Sequence, residues 1–169
     1  ARFRAHRGRH VITMNTEHKA VLESAKALRG EGFTVTTLAP DKAGLLSVEA
    51  LRDAVRDDTQ LVSVMHVNNE TGVVQDIDAI GRLCRERDIL FHTDAAQSAG
   101  KLPLDVEKVP VDLLSLTAHK FYGPQGIGAL YVADRNGCGV SPLQHGGAQE
   151  RHLRAGTEPV ALIAGFGQA

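Results

Sequence analysis

Cysteine is scarce, with only Cys84 and Cys138 in 169 residues. Two cysteines cannot build a disulfide framework, and these two lack the paired spacing of a zinc site. Net charge is nearly absent too. Nineteen basic against twenty acidic side chains leave -1, which removes the broad positive field that nucleic acid or an anionic membrane surface would call for. No stretch approaches the ~18 consecutive apolar residues of a membrane span. Internal repeats, low-complexity tracts and linkers are missing as well. The chain therefore reads as one soluble piece, long enough to bury a core and expected in the cytoplasm. Its one local charge excess is "ARFRAHRGRH" (1–10), with Arg2, Arg4, Arg7 and Arg9. This opening lacks the serines and apolar stripe of a transit peptide, and it reads as a solvated lead-in.

What the chain does have is a regular alternation of strand-like runs and helical stripes. "HVITMN" (10–15) leads into "TEHKAVLESAKALRG", where Val21, Ala25 and Leu28 recur at helical spacing and Gly30 marks a stop. "FTVTTLA" (33–39) alternates as a strand does. Ser47 then stands as N-cap to a helix with Val48, Leu51 and Val55 on one face. "LVSVMHV" (61–67), a helix from about Asp76 to Arg87 with Ile77, Ile80 and Cys84 inward, "ILFHTD" (89–94) and "VDLLSLT" (111–117) follow. "GIGALYV" and the segment near Val140 read as an antiparallel pair, and "VALIAGFGQA" as a helix cut short. The alternation predicts an α/β fold: three layers, αβα, around a mainly parallel, mixed sheet.

Three of these runs turn abruptly polar at their carboxyl ends. One ends in Asn68, Asn69 and Glu70, one in Asp94 and then Gln97, and one in Thr117, His119 and Lys120. Open parallel sheets bind ligands outside the carboxyl ends of their strands, so these residues are expected to converge. His18, one turn before Val21 on the first helix, can join them. An amine kept in a low-dielectric pocket is nucleophilic and forms a Schiff base with an aldehyde. Pyridoxal 5'-phosphate supplies such an aldehyde, and its ring draws electrons while a carboxylate keeps the ring nitrogen protonated. Lys120 and Asp94 suit these two tasks. Asn69 and Gln97 can bind the phenolic oxygen, His18 can lie against the ring, and Thr117 and His119 can bind phosphate. The glycines after Lys120 permit close backbone approach. His92, Asp94 and His119 resemble a fragment of a metal site, but no helical His-x-x-x-His or carboxylate set completes it. "GPQGIG" lacks the Gly-Lys-Ser/Thr ending of a P-loop.

Five segments then carry a family resemblance: "TEHKAVL", "MHVNNETGVVQDI", "HTDAAQSAGKLPLD", "HKFYGPQGIGALYV" and "HGGAQERHLRAGTEPV". In order and without a large gap, they make the chain similar to the cysteine desulfurases of the NifS and IscS type, pyridoxal phosphate enzymes of fold type I in the class-V aminotransferase family. The resemblance implies an aminotransferase-like large domain over residues 1–169. It implies Lys120 as the amine joined to the cofactor, Asp94 at the ring nitrogen, and Asn69 and Gln97 at the phenolic oxygen. His18 would stack on the ring and move the proton of the substrate thiol. Thr117, where many relatives have serine, and His119 would bind phosphate, and Thr157 would reach the phosphate of a second subunit in a homodimer.

The implied reaction converts L-cysteine to L-alanine and leaves sulfur as an enzyme persulfide. Sulfur-acceptor and iron-sulfur scaffold proteins, or tRNA thiolation, would receive it. The family's nucleophilic cysteine, the arginine that binds the substrate carboxylate and the phosphate-binding turn preceding "ITMNTEHKA" all fall outside these 169 residues. The expectation is an incomplete large domain, without an N-terminal part and a C-terminal small domain, and inactive alone. Cys84 cannot replace the nucleophile from the inner stripe of a helix, and Cys138, between glycines and expected to be exposed, matches nothing catalytic. The alternatives are a selenocysteine lyase or another lyase of this fold, and a truncated cofactor-binding module without turnover.

Overall fold

A computed structural model describes all 169 residues. Its centre is one six-stranded sheet: β1 (His10–Met14), β2 (Thr34–Leu38), β3 (Thr59–Ser63), β4 (Leu90–Asp94), β5 (Leu113–Thr117) and β6 (Gly128–Val132). The order is β2-β1-β3-β4-β5-β6, parallel except for β6. Helices α1 (Lys19–Gly30), α2 (Val48–Ala54) and α3 (Ile77–Glu86) connect the first four strands, and α4 (Val160–Gln168) closes the chain. No helix is long and apolar enough to cross a membrane.

Period-two alternation sorts the side chains onto two faces. Ile12, Met14, Val62, Val64, Phe91 and Leu114 face α2 and α3 and form the dry core with Leu51, Ile77, Ile80, Leu83 and Cys84. Gly81 allows the close approach of α3, because a Cβ there would lie 2.8 Å from the Pro110 carbonyl oxygen and 3.2 Å from the Phe91 ring. On the α1 face, Thr13, Ser63, His92, Asp94 and Ser115 line a groove of about 330 Å³. Each face also holds a histidine stitched across three strands. His10 meets Thr59 at 2.7 Å and Thr36 at 2.8 Å; His92 meets Ser63 at 2.8 Å and Ser115 at 2.9 Å.

Helix starts follow the capping chemistry of the sequence. Ser47 Oγ accepts the Ala50 N–H at 3.2 Å and Asp76 Oδ1 accepts the Ala79 N–H at 2.9 Å. Each satisfies a backbone donor that would otherwise be orphaned. At the other end of α1, Gly30 is still helical, and the left-handed turn falls at Gly32 with φ 83°.

Three expectations are corrected, and one connection departs from the helical pattern of the others. The arginine-rich opening is not a solvated lead-in: Arg4 is 2% exposed and donates to the Asp88 carbonyl at 3.1 Å and to its carboxylate at 3.0 Å. Arg2 pairs with Glu31, and Arg7 with Asp88 at 2.5 Å. β6 pairs with β5, from Leu113 opposite Val132 to Thr117 opposite Gly128, and the segment near Val140 is not a strand. The β4–β5 connection carries no regular helix, because Gly100, Pro103 and Pro110 break it into turns. Cys138 is half-buried, its thiol donating to the Asp112 carbonyl at 3.5 Å, rather than exposed.

Candidate active site

The chain leaves β1 toward β2 on one side and returns through β3 on the other, so the sheet reverses its winding between β1 and β3. Reversal opens a crevice at the carboxyl ends of those strands. Two hydrogen bonds span it. Glu17 Oε1 accepts the Met65 N–H at 2.8 Å, and Asn68 Nδ2 donates to the Thr16 carbonyl at 2.8 Å. Asn68 Oδ1 also takes the N–H groups of Glu70 and Thr71, at 2.9 and 2.8 Å, which folds the loop back and leaves Asn69 exposed. The buried Asn68 shapes the turn, and Asn69 stands exposed beyond it.

Asp94 ends the adjacent strand. Its carbonyl accepts the His66 N–H at 3.0 Å, and the next residue, Ala95, donates to the Ser115 carbonyl at 3.0 Å, so the edges of β3, β4 and β5 are bonded together at this level. Asp94 Oδ1 accepts the Ala96 N–H at 2.9 Å, which leaves Oδ2 for a second donor. Gln97 is half-buried in the turn that follows. That turn closes on the one after β5: Gly100, at φ 71°, packs so tightly that a Cβ there would lie 3.2 Å from the Phe121 Cβ. Phe121 is the neighbour of Lys120. Loops bearing Gln97 and Lys120 are thus in contact.

In the turn after β5, Thr117 Oγ1 lies 3.0 Å from His119 Nδ1, a hydroxyl and an imidazole already aligned. Lys120 is exposed. The expectation of an amine activated by burial is therefore not met within this chain, and Lys120 is a reachable rather than a desolvated amine. His18 also differs in detail. It is the N-cap of α1 rather than part of its first turn, and Nδ1 accepts the Ala20 N–H at 3.2 Å. In that bond Nδ1 is the acceptor, which leaves Nε2 as the ring's donor.

Thr157 stands apart. It lines a second hollow of about 500 Å³ with Glu150, Arg154, Glu158 and the start of β6. No other predicted site residue shares that hollow. The structure thus gathers His18, Asn69, Asp94, Gln97, Thr117, His119 and Lys120 on one edge of the sheet and leaves Thr157 outside the group.

Two buried groups were not among the expected site residues. Glu17 is 5% exposed; burial foremost, then the charge of Asp94, push its carboxyl up to about 8. His92 sits directly below Asp94 on the same face of β4, and burial holds its imidazole down at about 4, so it is neutral. The sequence signal for His92 was parity with Asp94 and with Ser63 and Ser115 on flanking strands. Glu17 offered no such signal, being one more acid ahead of a helix. Cys84 is 1% exposed, with its thiol pushed up to about 12 by burial, and Cys138 is raised as well, mainly by burial. Neither is a poised thiolate.

A mostly parallel six-stranded sheet with flanking helices is the architecture of fold type I. The chain belongs to the aminotransferase class-V family, whose profile matches residues 1–169. It is 57% identical over all 169 residues to the cysteine desulfurase IscS of Vibrio vulnificus strain YJ016, and 57% identical to that of Photorhabdus laumondii. The chain spans 42% of the length of each. Among solved structures, SspA in complex with cysteine superposes with a TM-score of 0.91 at 50% identity, over 95% of this chain and 46% of that one. DndA from Streptomyces lividans superposes at 0.89 with 44% identity, over 98% and 47%.

Proposed function

We propose that these 169 residues are the cofactor-binding large domain of a pyridoxal phosphate-dependent cysteine desulfurase, which converts L-cysteine to L-alanine and passes sulfur on as a persulfide. The observation that carries this reading is the contact between the loops after β4 and β5, which brings Asp94, Gln97 and Lys120 to one edge of the sheet. Identity of 57% to IscS enzymes supports it. We further propose a homodimer acting in the cytoplasm, with sulfur-acceptor and iron-sulfur scaffold proteins as partners.

The donor set fits the cofactor. When bound, pyridoxal 5'-phosphate supplies an aldehyde for covalent capture of an amino acid and a protonated ring that accepts electron density. Asp94, with Oδ1 held by Ala96, offers Oδ2 to the ring N–H and keeps the proton there. Asn69 and Gln97 hold the phenolic oxygen, and Thr117 with His119 holds phosphate. Lys120, exposed at the same edge, joins the aldehyde. His18 would cover the ring and take up the proton of the substrate thiol. Taking the substrate thiol's proton at Nδ1 requires its bond to Ala20 to open first. Thr157, facing a separate hollow, serves the site of a second subunit.

Borohydride reduction followed by peptide mapping tests the core of this. In the whole enzyme, a yellow colour that reduction bleaches, with a pyridoxyl group left on Lys120 and none in Lys120→Ala, is the expected result. A colourless, folded wild type overturns the reading.

A further inference from the structure

The strands that flank the crevice part at one level. Their last paired step joins Thr13 to Ser63, with Thr13 Oγ1 donating to the Ser63 carbonyl at 2.9 Å. Past it, β1 stays with β2, the Asn15 N–H donating to the Leu38 carbonyl at 2.9 Å. The chain after β3 stays with β4, through the N–H groups of Val64 and His66 and the carbonyls of His92 and Asp94, both at 3.0 Å. No backbone hydrogen bond joins residues 15–18 to residues 64–69. Only side chains bond across: Glu17 Oε1 takes the Met65 N–H, and Asn68 Nδ2 reaches the Thr16 carbonyl, each at 2.8 Å. Glu17, Met65 and Asn68 are all buried, so both bonds act in a low dielectric and are stronger than in water. Directly after the crossing point on each side stands an exposed polar residue, His18 on one and Asn69 on the other.

Building on the cofactor reading, we propose that Asn68 and Glu17 are positioning residues, whose two crossing hydrogen bonds set the gap between His18 and Asn69 before a ligand arrives. The cofactor reading gives the two ends one ligand, with His18 against the ring and Asn69 at the phenolic oxygen. The clasp gives them their spacing. A single bond would leave a hinge about which the parted segments could twist. Two bonds, from adjacent residues on one side to residues three apart on the other, resist both twisting and opening. Asn68 divides its work between its two side-chain atoms. Oδ1 takes the N–H groups of Glu70 and Thr71 and shapes the loop, while Nδ2 reaches Thr16. Loss of the Nδ2 donor therefore frees the gap without unfolding the loop. Little slack is needed, because a misplacement of about 1 Å costs on the order of a hundredfold in rate. The protonated Glu17 that burial favours still serves, since Oε1 accepts from Met65 in either state.

Two measurements on the whole enzyme test this. Asn68→Asp keeps an oxygen for Glu70 and Thr71 and removes the donor to Thr16. In the cofactor-free protein, amide hydrogen exchange followed by NMR should show the Met65 N–H exchanging at least about tenfold faster, with the Glu70 and Thr71 amides as protected as in wild type. An unchanged Met65 amide overturns the proposal. In the loaded enzyme, a double-mutant cycle pairs Asn68→Asp with His18→Asn, which removes the imidazole and keeps a helix cap. Asn68→Asp alone is expected to lower kcat for alanine production by about ten- to a hundredfold. On the His18→Asn background it should cost less than about threefold more, because one end of the gap is already gone. Losses that multiply show a merely structural role and overturn the proposal. Glu17→Gln, which keeps an oxygen for Met65, should retain at least about tenfold more turnover than Glu17→Leu; equal losses count against the clasp. Should Asn68→Asp not fold, Glu17→Leu takes its place in the cycle and the same outcomes decide. If wild type binds no cofactor, the proposed function fails and the positioning role falls with it. Normal loading and turnover with multiplying losses defeat the clasp alone.

Discussion

At the scale of single residues, charge and shape at Asp94 can be separated. Asparagine keeps an oxygen for the Ala96 N–H but cannot hold a proton on a ring nitrogen. Asp94→Asn is therefore expected to lower alanine production by about two orders of magnitude or more while cofactor content falls far less. Absorbance and turnover, measured on the same sample, check this; equal losses would contradict an electronic role. The residues of this edge differ in how openly the sequence shows them. Asn69, Asp94 and Lys120 interrupt apolar runs, and a polar side chain at such a point is visible from one dimension. Glu17 is hidden because an acid next to a helix start has an ordinary explanation in the helix dipole. Nothing local reveals that its carboxyl turns inward to a backbone N–H 48 positions away.

At the scale of elements, the contact between Gly100 and Phe121 couples the loops that bear Gln97 and Lys120. Gly100→Val should force a β-branched residue into left-handed backbone and push against Phe121. The expected result is a cofactor affinity reduced at least about tenfold with a smaller loss of thermal stability, from spectral titration and calorimetry. Unchanged affinity would show that Lys120 is positioned independently of the loop after β4. The five parallel strands and three connecting helices were legible because their hydrophobic periods are distinct. The partner of β6 was not. A strand followed closely by another apolar segment suggests a hairpin, yet the turn over 118–127 already reverses the chain, so β6 lies against β5 and ends its sheet there. The β4–β5 connection, broken by Gly100, Pro103 and Pro110, carries no crossover helix, and no helical stripe is legible there.

At the scale of the whole molecule, two buried groups tilt stability in opposite directions with pH. The folded chain refuses a proton at His92 until about pH 4, whereas the unfolded chain takes it up from 6.5, so this contribution is lost as pH falls through that window. Glu17 behaves conversely. Its folded proton persists to about 8 against 4.5 unfolded, so its contribution is present at low pH and lost as pH rises. Between pH 4.5 and 6.5 the two slopes oppose each other. Glu17→Gln should therefore lose stability on acidification over that range faster than wild type does, by up to roughly 1.4 kcal/mol per pH unit in denaturant titrations. Parallel curves would show that Glu17 is not protonated in the fold.

The two rims of the sheet are unlike. Where the parallel strands begin, Arg4, Arg7, Arg85 and Arg135 engage Asp88 and the buried Asp112, and Arg56 engages Asp58. Where they finish, amides, hydroxyls and imidazoles stand, and the ion pairs are those of Arg154 with Glu150 and Glu158 beside the start of β6. The buried Arg–Asp clamps lie at the starting rim, so substitutions in the loops after β3, β4 and β5 leave that grip on the scaffold untouched.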